Sequence, residues 1–228
     1  MAVIHTNVQK TGHVAVIPGA AEEVWQDLLA GNHRFCEGRL TQRQLRSQRE
    51  FLVSGQRPKA VIIGCSDSRV PPELVFDQSL GDLFVVRAAG NVVDAIALGS
   101  VEYAVEHLGT RLVIVLGHDR CGAVQAACSG QKAASPNLWS IMVELQPSVL
   151  ECSRHTGAAL IRDVVEKNAL RVSDALLRRS AVLRKAADEG DLQIVSARYD
   201  LYSGEVFQLE SPSEHRLDES KESAVHSA

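Results

Sequence analysis

The chain has 228 residues, 45% of them hydrophobic and 23% charged, with a formal net charge of −4. That is enough for one substantial domain and too apolar for a disordered chain, and it gives no electrostatic reason to expect nucleic acid or an anionic membrane as a partner. No stretch approaches the roughly 18 continuous apolar residues of a membrane span.

Residues 1–20 are a lead-in punctuated by Gly and Pro. Its apolar run in HVAVIPG ends at Pro18, well short of a secretory signal, so the expected location is cytoplasmic. AAEEVWQDLLAGNHRF (20–35) reads as an amphipathic helix: Val24, Trp25, Leu28 and Leu29 share a face, Glu22 and Glu23 sit in the first turn, and Gly31 is placed to stop it. KAVIIG (59–64) is a short β-branched run of the kind buried on both faces of a sheet, and LFVVR (83–87) is a second. DAIALGSVEYAVEHLG (94–109) is a helix closed by Gly109, RLVIVLG (111–117) a third buried strand, and a helix follows from about Gly122 to Cys128. Residues 138–189 read as helical with loops near Pro147 and Gly157. LQIVSARYDLYSGEVFQLE (192–210) is strand, turn and strand with YSG as the turn, and 211–228 is a polar, acidic tail. The expected fold is a single α/β domain over 1–228. It has a mostly parallel central β-sheet flanked by helices, an N-terminal helical arm (21–50) and a C-terminal strand hairpin.

Ligands of such sheets gather beyond the carboxyl ends of the strands, and both polar clusters lie there. IIGCSDSR (62–69) finishes the first strand and LGHDRCGAV (116–124) finishes the third. The five cysteines (Cys36, Cys65, Cys121, Cys128, Cys152) are an odd number at irregular spacing, which suits a metal or a reactive thiol better than a disulfide framework. Cys65, His118 and Cys121 are donors that zinc prefers, and His-x-x-Cys lets one turn present two of them to one ion. Cys121 also opens a helix, whose dipole is expected to favour its thiolate. Asp67 is the ambiguous fourth candidate. Arg69, two residues on, is spaced to hold that carboxylate as an ion pair and turn it from the metal, leaving a position open.

With these residues together, the sequence resembles the β-class carbonic anhydrases, in their plant-like, open-site branch. CSDSRV and GHDRCGAV look like that family's two zinc motifs, and the similarity runs from about residue 22 to 209. The resemblance implies reversible hydration of carbon dioxide to bicarbonate and a proton by a zinc-bound hydroxide. It implies one zinc per chain on Cys65, His118 and Cys121, with Asp67 and Arg69 as the catalytic dyad. Gln56, Phe84 and Tyr103 resemble the family's substrate-pocket residues, with Gly90 beside them, and His107 matches a histidine that could pass the proton to buffer. Ala88 stands where the family commonly has Asn, which leaves the hydrogen bonding around Gly90 and Asn91 open.

The resemblance also implies a homodimer or homotetramer, with the helix at 22–30 like an arm that packs on a neighbouring subunit. Two other readings use the same residues. One is hydrolysis of carbon disulfide or carbonyl sulfide at the same zinc. The other is a non-catalytic zinc protein with Asp67 as a permanent fourth ligand.

Overall fold

In the computed structural model, which describes residues 20–210, five strands form one sheet in the order β2-β1-β3-β4-β5. The strands are β1 (Ala60–Gly64), β2 (Leu83–Arg87), β3 (Leu112–His118), β4 (Gln193–Tyr199) and β5 (Val206–Gln208). The first four are parallel, and β5 returns antiparallel to β4. Every residue of the central strands β1 and β3 is buried, which is why their sequences are continuous apolar runs.

Side chains alternate between the two faces of the sheet. Ala60, Ile62, Leu112, Ile114 and Leu116 face α1 (Ala20–Cys36) and the short α3 (Pro72–Val75), meeting Trp25, Leu28 and Phe76. Val61, Ile63, Val113 and Val115 face the other way, onto α4 (Ala95–Leu108), α7 (Gly157–Arg179) and α8 (Ala181–Asp188). A third cluster joins α5 (Gly122–Cys128), α6 (Pro136–Glu151) and α7 around Cys65 and Cys121, beyond the carboxyl ends of β1 and β3. No helix among the described residues is long and apolar enough to cross a membrane.

Three readings of the chain are corrected. Gly31 does not stop the first helix, which runs on to Cys36. Gly31 is there for close approach: a Cβ at that position would lie 1.9 Å from the Phe76 carbonyl oxygen. The stop is at Gly38, whose φ of +67 lets its N–H reach the Phe35 carbonyl while Arg39 N–H reaches that of Arg34. Pro147 marks no loop and lies inside α6. An interior proline costs about 3 kcal/mol, and here burial of Leu145 in the apolar cluster with Val164 and Val165 offsets it. The arm at 21–50 is two helices, α1 and α2 (Leu45–Phe51), separated by a non-helical stretch over 37–44. The lead-in up to residue 19 and the tail at 211–228 lie outside the described residues.

Asp77 ties that stretch to the body. Its fully buried carboxylate accepts from Arg34 Nε at 2.6 Å and Thr41 Oγ1 at 2.7 Å, and pairs with Arg43 at 2.6 Å. Burial opposes ionisation, but these donors together hold the group well below the usual carboxylate range. A depressed native pKa means that the stabilisation is complete above the unfolded value of about 3.9 and is lost as pH falls below it. Asp77→Asn is therefore expected to cost about 3 kcal/mol at pH 7, the low end for breaking a buried pair, because Arg34 keeps part of its side chain in water. Urea unfolding at pH 7 and at pH 3 checks this. The gap between wild type and variant should narrow at the lower pH, and a gap independent of pH would refute the assignment.

Candidate metal centre

Strands β1 and β3 are paired so that Gly64 lies opposite Leu116. Cys65, just past the end of β1, and His118, the last residue of β3, therefore emerge side by side. The chain then turns sharply through Arg120, a non-glycine residue at φ +53, and returns Cys121 to the same place. The two sulfurs are 3.9 Å apart, and the donor atoms of Cys65, His118 and Cys121 all lie within 4.8 Å of one another. All three residues are buried.

His118 Nδ1 sits 2.9 Å from the Asp119 carbonyl. A carbonyl only accepts, so Nδ1 carries the proton and Nε2 presents a bare lone pair. That Nε2 is buried and has no hydrogen-bond partner among the described residues. With zinc–sulfur bonds near 2.3 Å, tetrahedral geometry puts two thiolates about 3.8 Å apart. An orphaned imidazole nitrogen beside two sulfurs at that spacing fits zinc.

The pKa of the Cys65 thiol is lowered by hydrogen bonding from the Cys121 thiol, against the opposing effect of burial, and the backbone N–H groups of Asp67 and Gly90 point at its sulfur at 3.4 and 3.3 Å. Cys121 is pushed up by that neighbouring sulfur and by burial. The N–H groups of Ala123 and Val124 at the start of α5 do lower it, as a helix dipole should, but the sulfur 3.9 Å away outweighs them. The helix start thus favours the Cys121 thiolate as expected, against the opposing effect of the neighbouring sulfur and burial. An ion between the sulfurs would favour both thiolates.

Asp67 is gripped by Arg69, as its spacing suggests. Arg69 Nε donates to Oδ1 at 2.9 Å, its terminal nitrogen to Oδ2 at 2.6 Å, and its backbone N–H to Oδ1 at 2.9 Å. These bonds keep the carboxyl ionised well below the usual range. Its Oδ2 lies 3.9 Å from His118 Nε2, beside the donor cluster but bound elsewhere.

Gly90 is brought to the centre, though as a support for the Cys65 sulfur. It stands at φ +69 in a 3-10 turn (Ala89–Asn91), where a Cβ would press on Leu145 and Ala123 at 3.1 and 3.2 Å. At Ala88 the main chain is fully bonded, its N–H to Gly64 O and its carbonyl accepting from Ser66 and Asn91, while the buried Asn91 side-chain amide nitrogen has no partner among the described residues. Sequence reasoning missed two side chains that hold this region. Arg87 donates to the carbonyls of Cys65 and Asp67, at 2.8 and 2.6 Å, and the buried Asn168 on α7 donates to Gly90 O at 3.0 Å. Arg87 ends a strand beside the motif and could have been flagged. Asn168 is 78 residues from its partner and carried no local signal.

The other pocket residues are not brought to the donors within one chain. Gln56 precedes β1, at the end of the strand opposite Cys65. Phe84 pairs in register with Val61, four residues before Cys65, or about 13 Å along the strand. Tyr103 on α4 packs on Phe84, with ring centres 6.3 Å apart, and His107 on Tyr103 at 5.1 Å. They form a group of their own, with Tyr103 and His107 exposed.

Comparison with known proteins agrees with this geometry. Residues 60–206 match the family model for carbonic anhydrase. The chain is 41% identical over 184 residues to carbonic anhydrase 2 of Mycobacterium tuberculosis, covering 79% of this chain and 88% of that protein. Among solved structures, the β-carbonic anhydrase CcaA superposes with a TM-score of 0.67 at 31% identity, over 82% of this chain and 95% of that one. CafA, a β-carbonic anhydrase of Aspergillus fumigatus, gives 0.66 at 28% identity, over 83% and 93%. A mostly parallel sheet, a buried Cys-His-Cys donor set at two strand ends and these matches place the chain in the β-carbonic anhydrase family.

Proposed function

We propose that Cys65, His118 and Cys121 hold the one zinc of this carbonate dehydratase, and that Asp67 and Arg69 form its working dyad. The chain hydrates carbon dioxide reversibly to bicarbonate and a proton, the reaction of its family. The observation that carries the assignment is the orphaned Nε2 of His118 facing two sulfurs 3.9 Å apart. When bound, zinc supplies a Lewis acid that makes water a competent nucleophile near neutral pH.

The chain's own residues do the rest. Asp67 is an ionised acceptor beside the cluster, so it accepts a hydrogen bond from the attacking water and turns that water's lone pair towards carbon dioxide. Arg69 occupies both carboxylate oxygens and thereby keeps Asp67 out of the ligand set. Leu145, Val124 and Val165 pack around the two cysteines and exclude bulk water from the ligands' far side.

The substrate pocket is completed by a second copy of this chain. Phe84 of β2 and Tyr103 of α4 pack together and Gln56 lies before β1, all away from their own chain's donors, and they reach a metal centre only across an interface. His107, beside Tyr103, would carry the proton outward from there. Exposed apolar residues support such a contact: Phe51 at the end of α2, Val53 just after it, and Ile96 on the face of α4 that also carries Tyr103 are each at least 80% exposed. Within the 21–50 arm, Trp25 and Leu28 of α1 are spent on the chain's own core, so α2 and residues 52–54 are the part left for a neighbour. A homodimer is the smallest assembly that meets this need, and a homotetramer also satisfies it. All five cysteines are free thiols, which suits the reducing cytoplasm.

Complementation between two inactive variants tests the shared site. Cys121→Ser lacks a ligand, and Gln56→Ala/Tyr103→Ala lacks pocket residues. Refolded together, a random mixture of dimers contains one intact site in the mixed half, so about a quarter of wild-type hydration should return. No recovery in mixed dimers shown to have formed would mean that each chain builds its pocket alone.

A further inference from the structure

We infer that Arg198 is a positioning residue for the metal centre, acting through Asp119 to hold the turn that carries His118 and Cys121. The inference rests on the assignment of those two residues as ligands.

Arg198 lies on β4 opposite Gly117, next to the end of β3 where the turn begins. One terminal nitrogen of its guanidinium donates to both carboxylate oxygens of Asp119, at 2.8 and 2.9 Å. Its Nε is 2.9 Å from Glu166 Oε1 on α7, and the Phe207 ring centre of β5 lies 4.9 Å from its central carbon. The Asp200 carboxylate is 3.9 Å away. The side chain is only 13% exposed, so this is a mostly desolvated cation rather than a surface ion pair of little consequence.

Asp119 is held at every polar group. Its carboxylate is on Arg198, its N–H bonds Tyr199 O at 3.0 Å, and its carbonyl takes the Nδ1 proton of His118 at 2.9 Å. That last bond sets the tautomer of His118 and the direction of Nε2. Arg120 then sits at φ +53, a left-handed conformation that a non-glycine residue keeps only where neighbours enforce it. Two neighbours bear on it: Arg198, which fixes Asp119 just before it, and Arg69, whose terminal nitrogen lies 3.5 Å from the Arg120 carbonyl. With the carboxylate released, the peptide after Asp119 is free to rotate, its carbonyl leaves Nδ1, and both the imidazole and Cys121 lose their aim. A plain strut between β4 and α7 would need only the Glu166 contact, which leads away from the metal.

The test uses the zinc-loaded protein and variants Asp119→Asn, Arg198→Met and Glu166→Gln, with three readouts. These are the rate of zinc transfer to a chromophoric chelator, the absorption bands of the cobalt(II)-substituted protein, and Tm. Asp119→Asn and Arg198→Met should each release zinc about 10–100-fold faster, the usual cost of losing a ligand's outer partner, and shift the cobalt bands. The double variant should be no worse than either single one, because both break the same link. Glu166→Gln should lower Tm while leaving zinc release and the cobalt bands as in wild type. Asp119→Asn keeps side-chain volume and the backbone carbonyl, so it carries the test if Arg198→Met fails to fold. Wild-type release and bands in Asp119→Asn, or equal effects from Glu166→Gln, would overturn the proposal. Cys121→Ser run alongside separates the two levels. If it retains zinc, the ligand assignment falls and the inference with it; if it loses zinc while Asp119→Asn behaves as wild type, only the inference falls.

Discussion

Cys121→Ser protein should emerge from dialysis against a chelator with on the order of a tenth of a zinc per chain or less. Serine is nearly isosteric, so the buried site keeps its packing, but its hydroxyl stays protonated where a thiolate is needed. His118 Nε2 and Cys65 Sγ remain, and two donors do not make a closed site for a borderline-soft ion. The loss of hydration should exceed the 10–100-fold typical of removing an outer partner, since a ligand itself has gone. Metal analysis and stopped-flow hydration on the same sample measure both. Full zinc after dialysis would show that the ion is held elsewhere, and the centre drawn here would be wrong.

The sheet and the donors were readable from the sequence for the same reason. Strands buried on both faces become unbroken apolar runs, so VIIG and LVIVLG announce their ends, and polar residues packed just beyond those ends have few purely structural explanations. What could not be read depends on contacts between distant parts of the chain. Gly31 looked like a helix stop because a glycine's flexibility is a local property. Its use here, an approach to the Phe76 carbonyl 45 positions later, is not local. Pro147 looked like a break because its lost hydrogen bond is certain, while the burial that compensates for it lies in other helices. Arg87, Asn168 and Arg198 support the metal motifs from β2, α7 and β4, and no spacing rule connects them to the residues they hold. Gln56, Phe84 and Tyr103 show a further limit. Sequence resemblance groups them with the metal ligands, yet the folding of one chain does not.

Arg69→Ala should convert the open centre into a closed one. In the wild-type geometry three donors of Arg69 act on Asp67: Nε and the terminal nitrogen from the side chain, and the backbone N–H. Alanine keeps only the backbone N–H. The released carboxylate starts with Oδ2 3.9 Å from His118 Nε2, the atom that points at the metal position, so a side-chain rotation suffices to bring it there. An anionic oxygen is an acceptable fourth zinc ligand, and the one bond left opposing the move is the backbone N–H of residue 69 on Oδ1, which leaves Oδ2 free. Zinc content should therefore stay at one per chain while hydration falls by about 10²-fold or more, the range for losing a positioned acid–base group. A crystal structure of the zinc-loaded variant should show the carboxylate on the metal. One with Asp67 turned to solvent and the fourth position open would mean that Arg69 does not hold the site open.

Two comparisons separate geometry from charge. Arg69→Lys supplies a point charge that meets one carboxylate oxygen but cannot span both, so it should retain part of the activity. Guanidinium ion added to Arg69→Ala can span both oxygens, and because Arg69 is half exposed to solvent it can diffuse into the vacated space. Recovery with guanidinium, and not with ammonium at the same ionic strength, is the expected result. It would locate the function of Arg69 in occupying both oxygens of Asp67, not in its net charge.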